Sequence, residues 1–423
     1  MAAAHDLAQY AEPAEHAELR ATVGRIAAKF GGAYYAARAQ AGQSCDELWQ
    51  ALAEPGFIGV NIPAEYGGGG GGVTELAIVC EETAAQGCPL LLLLVSSAIS
   101  GEVLARYGTQ EQRGRWLPGI ADGTGKVVFA ITEPDAGSNT HRLATTARQD
   151  GDGWVLSGTK YYISGVDEAA GILVAAKAVP ATQAPGLDAG QLALFLLPAD
   201  PPGLTARHLP VDAMLPERQF TLHFDDIRLG PDALVGGDLG GLAQVFHGLN
   251  PERITAAAVC VGIARYALDK AAAYARTRTV WDAPIGSHQG VAHPLAKAKI
   301  ETELAALMTA KAAWQHDHGQ PAVLQTPGDA GPGTVLQTPS DVGPGSAGPG
   351  VAETANMAKY AAAEAAIAAV DQAIQTHGGN GLSSEFGLVP LWGLARLLRI
   401  APVNREMVLN YVAQHSLGLP RSY

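Results

Sequence analysis

The sequence has few of the features that build disulfide frameworks, zinc sites and membrane spans. None of its four cysteines forms a Cys-x-x-Cys pair, so neither a structural zinc site nor a disulfide framework is predicted. The most apolar run, Leu90 to Ser96, is far shorter than the roughly 20 residues of a membrane-spanning helix. The N-terminal segment has neither a basic start nor a long apolar run, unlike a secretory signal. We therefore expect a soluble, cytoplasmic protein with no membrane insertion.

Positive charge is also scarce. The 423 residues include 28 Lys and Arg against 41 Asp and Glu, which gives a formal net charge of −13. Such a surface repels nucleic-acid phosphates, so no nucleic-acid partner is expected. Charged residues make up only 16% and hydrophobic residues 48% of the chain, so it can bury a large core. The twelve histidines include no His-Glu-x-x-His motif, and no metal site is predicted.

Three compositional zones divide the chain into predicted domains. Residues 1–125 are rich in alanine and repeat apolar side chains at helical spacing, as at Leu19 and Val23. Residues 126–237 consist of short β-rich runs separated by Gly, Pro and Asp, which predicts a compact sheet domain. The helical pattern returns over residues 238–423. We therefore predict a helical domain, a sheet domain and a second helical domain, in that order.

Two glycine-rich patches interrupt this pattern. Residues 319–350 contain a duplicated segment, VLQTPGDAGPGT followed by VLQTPSDVGPGS. Because this composition cannot form a core, we predict a disordered surface insertion between two helices. Residues 67–72 are all glycine and match the dinucleotide-binding pattern trivially, without the strand and later acidic residue that it requires. A flexible turn is expected there.

The segment AITEPDAGSN, residues 130–139, gathers hydrogen-bond donors in a tight turn. Thr132, Ser138 and the turn's backbone could bind a phosphate or a polarised heteroaromatic ring. About twenty residues later comes GTKYYISG on a predicted strand, where alternation places Tyr162 and Ser164 on one face. An aromatic ring beside a hydroxyl could pack against a planar cofactor and hydrogen-bond its edge. An ordinary β-hairpin is the alternative for the same residues.

These two motifs resemble the middle domain of acyl-CoA dehydrogenases, and further matches extend over nearly the whole chain. GFIGVNIPAEYGG and YGTQEQRGRWLPGIADG are similar to the N-terminal helical domain of that family. FTLHFDDIRLGPDALVG is similar to the end of its sheet domain, and YARTRTVWDAPIGSHQ and QTHGGNG to its C-terminal helices. The resemblance implies an α+β fold with an N-terminal helical domain, a middle β-sheet or barrel domain and a C-terminal four-helix bundle.

The resemblance also implies FAD as the cofactor. Thr132 and Ser138 match residues that contact the flavin. Tyr162 takes the place of a tryptophan at the flavin ring, and Ser164 that of a hydroxyl near flavin N5. Further positions match cofactor-binding residues of the C-terminal helices, several of which reach the FAD of a neighbouring subunit: Arg278, Trp281, Gln289, Gln375, Gly378 and Gly379. A homo-oligomer, either a dimer or a tetramer, is therefore implied.

The family's chemistry needs a base that removes the α-proton of an acyl thioester. In many members the base is the Glu of a Tyr-Glu-Gly-Thr turn near the C-terminus, where this chain has Pro402. Members that resemble isovaleryl- and long-chain acyl-CoA dehydrogenases instead carry it in a Glu-Arg pair on an earlier helix. Glu252 and Arg253 match that pair, so the resemblance implies Glu252 as the catalytic base.

Two alternatives stay open for this assignment. Asn250 is a good N-cap and Pro251 suits a first helical turn, so Glu252 could complement a helix dipole without any catalytic role. Glu406 is the only other acid near the terminal turn and could itself be the base.

The implied substrate-binding residues are Arg253, Ser138 and Val403. In the family a backbone N–H of the terminal turn helps to hold the thioester carbonyl. Because Pro402 has no N–H, this donor is expected at Val403 or Ala401.

The resemblance as a whole predicts FAD-dependent α,β-dehydrogenation of an acyl-CoA, with a Glu removing the α-proton and the β-hydride passing to flavin N5. A thioester of acyl carrier protein is an alternative substrate. A flavin oxidase of the same fold and a non-catalytic flavin-binding protein are alternative functions. The implied electron acceptor is an electron-transferring flavoprotein.

Overall fold

The computed structural model describes residues 12–182, 190–213, 215–237, 239, 241–319 and 350–421. Helices come first, then a sheet, then long helices, so the predicted α+β class is confirmed. The predicted insertion at 319–350 lies outside the described residues except for its first and last positions. The domain bounds 1–125, 126–237 and 238–423 stay a prediction.

Helices make up the N-terminal region. Their bounds are α1 Ala14–Ala28, α2 Gly31–Ala41, α3 Asp46–Ala53, α4 Val73–Ala85, a π-helix at Leu93–Gly101, α5 Glu102–Tyr107 and α6 Gln110–Ala121. A capping box between Thr109 and Gln112 begins α6. The carboxylate of Asp317, far along the chain, accepts from the backbone N–H groups of Val73 and Thr74 at 2.9 and 2.8 Å. This contact caps α4 and joins the N-terminal region to the C-terminal helices.

The glycine run at 67–72 forms a packed turn. Three of its N–H groups donate to carbonyls of residues 59–62 at distances of 2.9 to 3.0 Å. A Cβ atom on Gly68 would lie only 2.1 Å from the carbonyl oxygen of Ile62. The structure therefore corrects the expectation of a flexible turn, because glycine is required here for close approach of two backbone segments.

Seven strands form one mixed sheet in the middle of the chain. They are β1 Val127–Ala130, β2 Thr146–Asp150, β3 Gly153–Ser164, β4 Gly171–Val179, β5 Gln191–Pro198, β6 Leu204–Leu209 and β7 Gln219–Leu229. The strand order is β1-β4-β2-β3-β7-β6, with β5 also paired to β4. The pairs β1–β4 and β2–β4 are parallel, and the others are antiparallel.

Strand β4 separates two apolar cores. Ile172, Val174 and Ala176 belong to the main core, whereas Leu173 and Ala175 belong to a smaller cluster. This is the period of two that a strand buried on both faces produces. The sheet is therefore covered on both sides near β4.

Long helices dominate the C-terminal region. The elements are α7 Gly241–Thr277, β8 Thr279–Val280, β9 Ala283–Pro284, α8 Gln289–His318, α9 Val351–His377, α10 Leu388–Ile400, α11 Arg405–Tyr411 and a π-helix at Val412–Ser416. Helices α7 and α9 pack closely through fully buried alanines such as Ala257, Ala264, Ala358 and Ala362. Helices α7 to α10 form the predicted four-helix bundle. None of the described helices is both long and apolar enough to cross a bilayer.

Candidate active site

The loop between β1 and β2, residues 131–145 and called the TEP loop below, contains Thr132 and Ser138. Ser138 is exposed and Thr132 is half-buried. The N–H of Tyr161 in β3 donates to the Thr132 carbonyl at 2.8 Å. The TEP loop and the C-terminal half of β3 are therefore neighbours, as the two sequence motifs imply.

A buried ion pair fixes the TEP loop. Nζ of Lys160, a fully buried residue of β3, lies 2.8 Å from Glu133 Oε1 and donates to the Ile131 carbonyl at 2.9 Å. Glu133 also accepts from the backbone N–H groups of Ala144 and Thr145 at 2.6 and 3.0 Å. Burial acts to raise the pKa of Glu133, but the Lys160 ammonium and these hydrogen bonds hold it below its ordinary value. Both ends of the loop are thus tied to one carboxylate.

Tyr162 and Ser164 lie near the end of β3, where the regular alternation of the strand is interrupted. The placement of the two side chains on one face stays a prediction. The pairing of β3 with β7 shifts between Lys160 and Ile163, and Tyr162 takes a positive φ of 59°. A β-bulge of this kind adds a residue and re-aims a side chain. The Tyr162 ring is 52% exposed, while Ser164 Oγ donates to Gln219 Oε1 at 3.0 Å.

Glu252 lies inside a helix, not at its beginning. Helix α7 begins at Gly241 and runs through Pro251. The Asn250 side chain accepts from a guanidinium nitrogen of Arg253 at 2.8 Å instead of capping a helix. The alternative in which Glu252 merely complements a helix dipole is therefore wrong, because no helix starts there.

The carboxyl of Glu252 is held in a partly desolvated setting. Burial raises its pKa to about 7, although the positive charges of Arg253 and Lys359 act in the opposite direction. Among the described residues, none forms a hydrogen bond or close ion pair with this carboxylate, although Arg253 and Lys359 act on it electrostatically. It is therefore available to accept a proton from a ligand.

Residues 401–404, called the terminal turn below, are held from two sides. Lys359 of α9, which is only 1% exposed, donates through Nζ to the Val403 carbonyl. The next residue, Asn404, donates through Nδ2 to Ser138 Oγ at 2.8 Å. These contacts join Ser138 to the terminal turn and the turn to Lys359, which also interacts electrostatically with Glu252. Sequence reasoning missed Lys359 and Asn404, although a lone lysine within an alanine-rich helix was a usable signal.

Glu406, the alternative base, has a different setting. It is exposed in the first turn of α11 and lines a small surface cavity with three arginines, Arg396, Arg399 and Arg405. Glu406 therefore lacks the burial that raises the pKa of Glu252.

The remaining predicted cofactor residues lie at the far end of the bundle, and all are exposed. They are called the bundle-end group: Arg278, Trp281, Gln289, Gln375, Gly378 and Gly379. The ends of α7 and α9 meet where Tyr274 stacks on His377, with ring centroids 4.3 Å apart. Along α7, Glu252 and Thr277 are about 38 Å apart at about 1.5 Å per residue. The predicted residues therefore form two separate groups within one chain.

Comparisons with known proteins agree with this architecture. Models of the acyl-CoA dehydrogenase N-terminal, middle and C-terminal domains match residues 13–124, 128–227, and 240–331 with 342–417. The chain is 50% identical to acyl-CoA dehydrogenase FadE12 of Mycobacterium tuberculosis strain H37Rv, over 98% of this chain and 99% of that protein.

Two more distant matches also span most of the chain. Probable acyl-CoA dehydrogenase YngJ of Bacillus subtilis is 31% identical, over 89% of this chain and 91% of that protein. A crystal structure of a glutaryl-CoA dehydrogenase from Mycobacterium smegmatis in complex with FADH2 superposes with a TM-score of 0.83 at 23% identity. That match covers 97% of this chain and 96% of the other.

The chain therefore belongs to the acyl-CoA dehydrogenase family, whose members are oxidoreductases acting on CH–CH groups. The predicted family and its fold are confirmed.

Proposed function

We propose that this chain is an FAD-dependent acyl-CoA dehydrogenase that forms an α,β double bond and uses Glu252 as its base. The observation that carries the proposal is the setting of that carboxyl, which lies inside α7 with a pKa raised by burial to about 7. A group with this pKa changes protonation near neutral pH, as a general base should. The usual competitor is absent, because Pro402 occupies its position.

The residues of the TEP loop and β3 fit FAD. The exposed Tyr162 ring belongs to the end of β3 that neighbours the TEP loop. These two elements also carry the hydroxyls of Thr132, Ser138 and Ser164, and an aromatic ring together with hydroxyl groups suits the face and polar edge of a flavin ring. In the bundle-end group, the space that a Cβ atom would occupy on either glycine is open, so a phosphate could approach the backbone. The FADH2 complex of the M. smegmatis relative supports the same assignment.

The chain's own groups account for proton removal. The Glu252 carboxylate takes the α-proton, and the electron pair left behind forms the new double bond as the β-hydrogen leaves with its electrons. When bound, FAD supplies the acceptor for that hydride. The N–H of Val403 is the proposed donor to the thioester carbonyl, because Pro402 lacks one. Arg253, held by Asn250, and Ser138 complete the proposed substrate site.

The proposed assembly rests on the separation of the two groups. The bundle-end group lies about 38 Å along α7 from Glu252, which argues against contact with a flavin ring held near Glu252 in the same chain. We therefore propose a homo-oligomer, a dimer or tetramer, in which this group reaches a neighbour's FAD. The proposed electron acceptor is an electron-transferring flavoprotein, and the proposed location is the cytoplasm.

The test is anaerobic reduction of the bound flavin by a panel of acyl-CoAs of different chain length and branching. Wild-type enzyme should bleach with at least one of them, and Glu252→Gln should slow bleaching by about 10²- to 10⁴-fold. Glu406→Gln is the matched control, and its rate should stay close to wild type.

Three outcomes would change the proposal. Loss of bleaching in Glu406→Gln but not in Glu252→Gln would move the base to Glu406. Bleaching only by acyl carrier protein thioesters would change the substrate. Stoichiometric release of hydrogen peroxide in air without another acceptor would make the enzyme an oxidase.

A further inference from the structure

Lys359 is a fully buried lysine that the proposed mechanism does not use. It lies on α9, where its neighbours along the helix are buried alanines such as Ala358 and Ala362. Its ammonium donates to the Val403 carbonyl. An ammonium has three donors and is costly to bury, so its position within an alanine-rich interface calls for a role beyond packing.

The electrostatic surroundings of Lys359 are specific. The ammonium interacts favourably with Glu252 of α7 and with Glu364 of its own helix, and unfavourably with Arg253. Cys260 of α7 is a further titratable neighbour. Glu364 is already paired with Arg399 of α10, through contacts of 2.6 and 3.0 Å.

Of the titratable groups around Glu252, Lys359 is the cation that comes from a different helix. Burial raises the pKa of the Cys260 thiol to about 12, so this thiol is neutral at physiological pH. Tyr411 of α11 interacts with Arg253 and with Glu353. The charges that act on the Glu252 carboxyl are those of Arg253, its neighbour on α7, and Lys359, from across the helix interface. Lys359 is thus the cation that α9 contributes to the site.

We propose that Lys359 is a positioning residue for proton abstraction: its buried ammonium holds the terminal turn through the Val403 carbonyl and supplies a positive charge from α9 to the Glu252 site. The inference rests on the proposed function, in which Glu252 is the base. It connects two parts of the site that lie on different elements, since one side chain acts on the base and on the segment that carries the proposed thioester donor.

The two roles predict different kinetic consequences. Loss of the charge leaves burial less opposed, so the pKa of Glu252 should rise. Loss of the hydrogen bond should release Val403 and weaken the hold on the thioester carbonyl. A lysine that served packing alone would affect stability but would not move the pH dependence of the reaction.

The test compares Lys359→Met, Lys359→Gln and Lys359→Arg by rapid mixing of holoenzyme with the best acyl-CoA between pH 5.5 and 9. In Lys359→Met and Lys359→Gln the midpoint of the rise in flavin-reduction rate should move upward by about one pH unit. Lys359→Arg should restore the wild-type midpoint, because it keeps the charge. Lys270→Met, a lysine of α7 that lies over the Tyr266 ring, is the control and should leave the profile unchanged.

A second measurement does not depend on catalysis. The free energy of unfolding is measured as a function of pH in wild type, Glu252→Gln, Lys359→Met and the double variant. With Lys359 present, the difference between wild type and Glu252→Gln reports the pKa of Glu252. The same difference between Lys359→Met and the double variant reports that pKa without the lysine. The pH midpoint of this Glu252-dependent transition should be higher by about one unit when Lys359 is replaced. An unmoved transition, or a kinetic midpoint unchanged in both Lys359→Met and Lys359→Gln, would overturn the inference. A moved unfolding transition with an unaffected reaction rate in Glu252→Gln would instead refute the proposed base.

Discussion

Two fully buried lysines, Lys160 and Lys359, influence a glutamate in different ways. In the sheet domain, Lys160 touches Glu133 at 2.8 Å. In the helical bundle, Lys359 acts on Glu252 through space while its hydrogen bond goes to a carbonyl. Burial lowers the pKa of both lysines to about 8. The glutamates diverge, because the pKa of Glu133 is lowered whereas that of Glu252 is raised to about 7.

The difference separates a structural charge pair from a reactive one. Glu133 accepts from a cation and from two backbone N–H groups, which stabilise its charged form, so its carboxylate is a poor proton acceptor. Glu252 has a cation near enough to influence its charge but no direct partner among the described side chains. A buried carboxyl therefore becomes a candidate base when its neighbours favour the charged form only partially.

The largest expected effect comes from breaking the structural pair. Lys160→Met leaves Glu133 buried without its cation, which should cost about 3–5 kcal/mol in free energy of unfolding. Lys359→Met removes a hydrogen bond without breaking a contact ion pair, and should cost only about 1–3 kcal/mol. Urea denaturation of the holoenzymes, followed by circular dichroism, measures both.

The matched control is an ion pair on the surface. Arg228 and Asp150 are 2.7 Å apart, with side chains 81% and 56% exposed, so Asp150→Asn should change stability by less than about 1 kcal/mol. Equal losses in Lys160→Met and Lys359→Met would remove the distinction between the two buried sites.

A smaller effect is expected on how stability depends on pH, and its sign should differ between Glu252 and Glu133. The pKa of Glu252 is raised from 4.5 to about 7, so the native state binds more protons than the unfolded chain and loses stability as pH rises through this interval. Glu252→Gln lacks that loss, and its melting temperature relative to wild type should be higher at pH 8 than at pH 5.

Glu133→Gln should show the opposite trend. The pKa of Glu133 is lowered, so its carboxylate contributes stability above the unfolded-state pKa, and this contribution is lost as pH falls through the native-state pKa. The variant should therefore be more destabilised at pH 8 than in strongly acidic buffer. Trends of the same sign in the two variants, measured by differential scanning fluorimetry over pH 3–8, would contradict the comparison.

The sequence predicted the order of the domains because helical and strand periodicities survive in local patterns. The assignment of Ser138, Glu252 and Val403 to one site came from family resemblance instead of spacing, and it stays a prediction. The sequence could not reveal that Lys160 pairs with Glu133, because that contact depends on how β3 pairs with its neighbours. The bulge at Tyr162 had no local signal, since register shifts arise from cross-strand packing.

The sequence wrongly suggested a helix start at Asn250 and Pro251. The Asn250-Pro251 pair is a common helix start, yet α7 runs through it, since packing against the rest of the bundle outweighs the local signal of a proline. The sequence also could not distinguish a flexible turn from a packed turn at residues 67–72, because both flexibility and close backbone approach favour glycine.

The smallest expected effect is on the terminal turn, which belongs to the Lys359 site and has no counterpart in the comparison with Lys160. Asn404 holds this turn through a contact separate from that of Lys359. The Asn404 side chain accepts from the Met407 N–H at 2.8 Å and donates to Ser138 Oγ at 2.8 Å. Asn404→Ser should keep the helix cap but lose the longer reach to Ser138, so its stability should stay near wild type. Asn404→Ala loses both and should cost about 1 kcal/mol more.

The kinetic consequence should be shared by the two Asn404 variants. Without the link to Ser138, the terminal turn is no longer tied to the TEP loop by this hydrogen bond. The loss of one hydrogen bond of about 0.5–1.5 kcal/mol corresponds to a rise in KM of roughly 2- to 12-fold. Because Glu252 is untouched, the pH midpoint of flavin reduction should stay where it is in wild type. A shift of that midpoint in Asn404→Ser would mean that the turn itself sets the pKa of the base. The charge of Lys359 would then not be the controlling group.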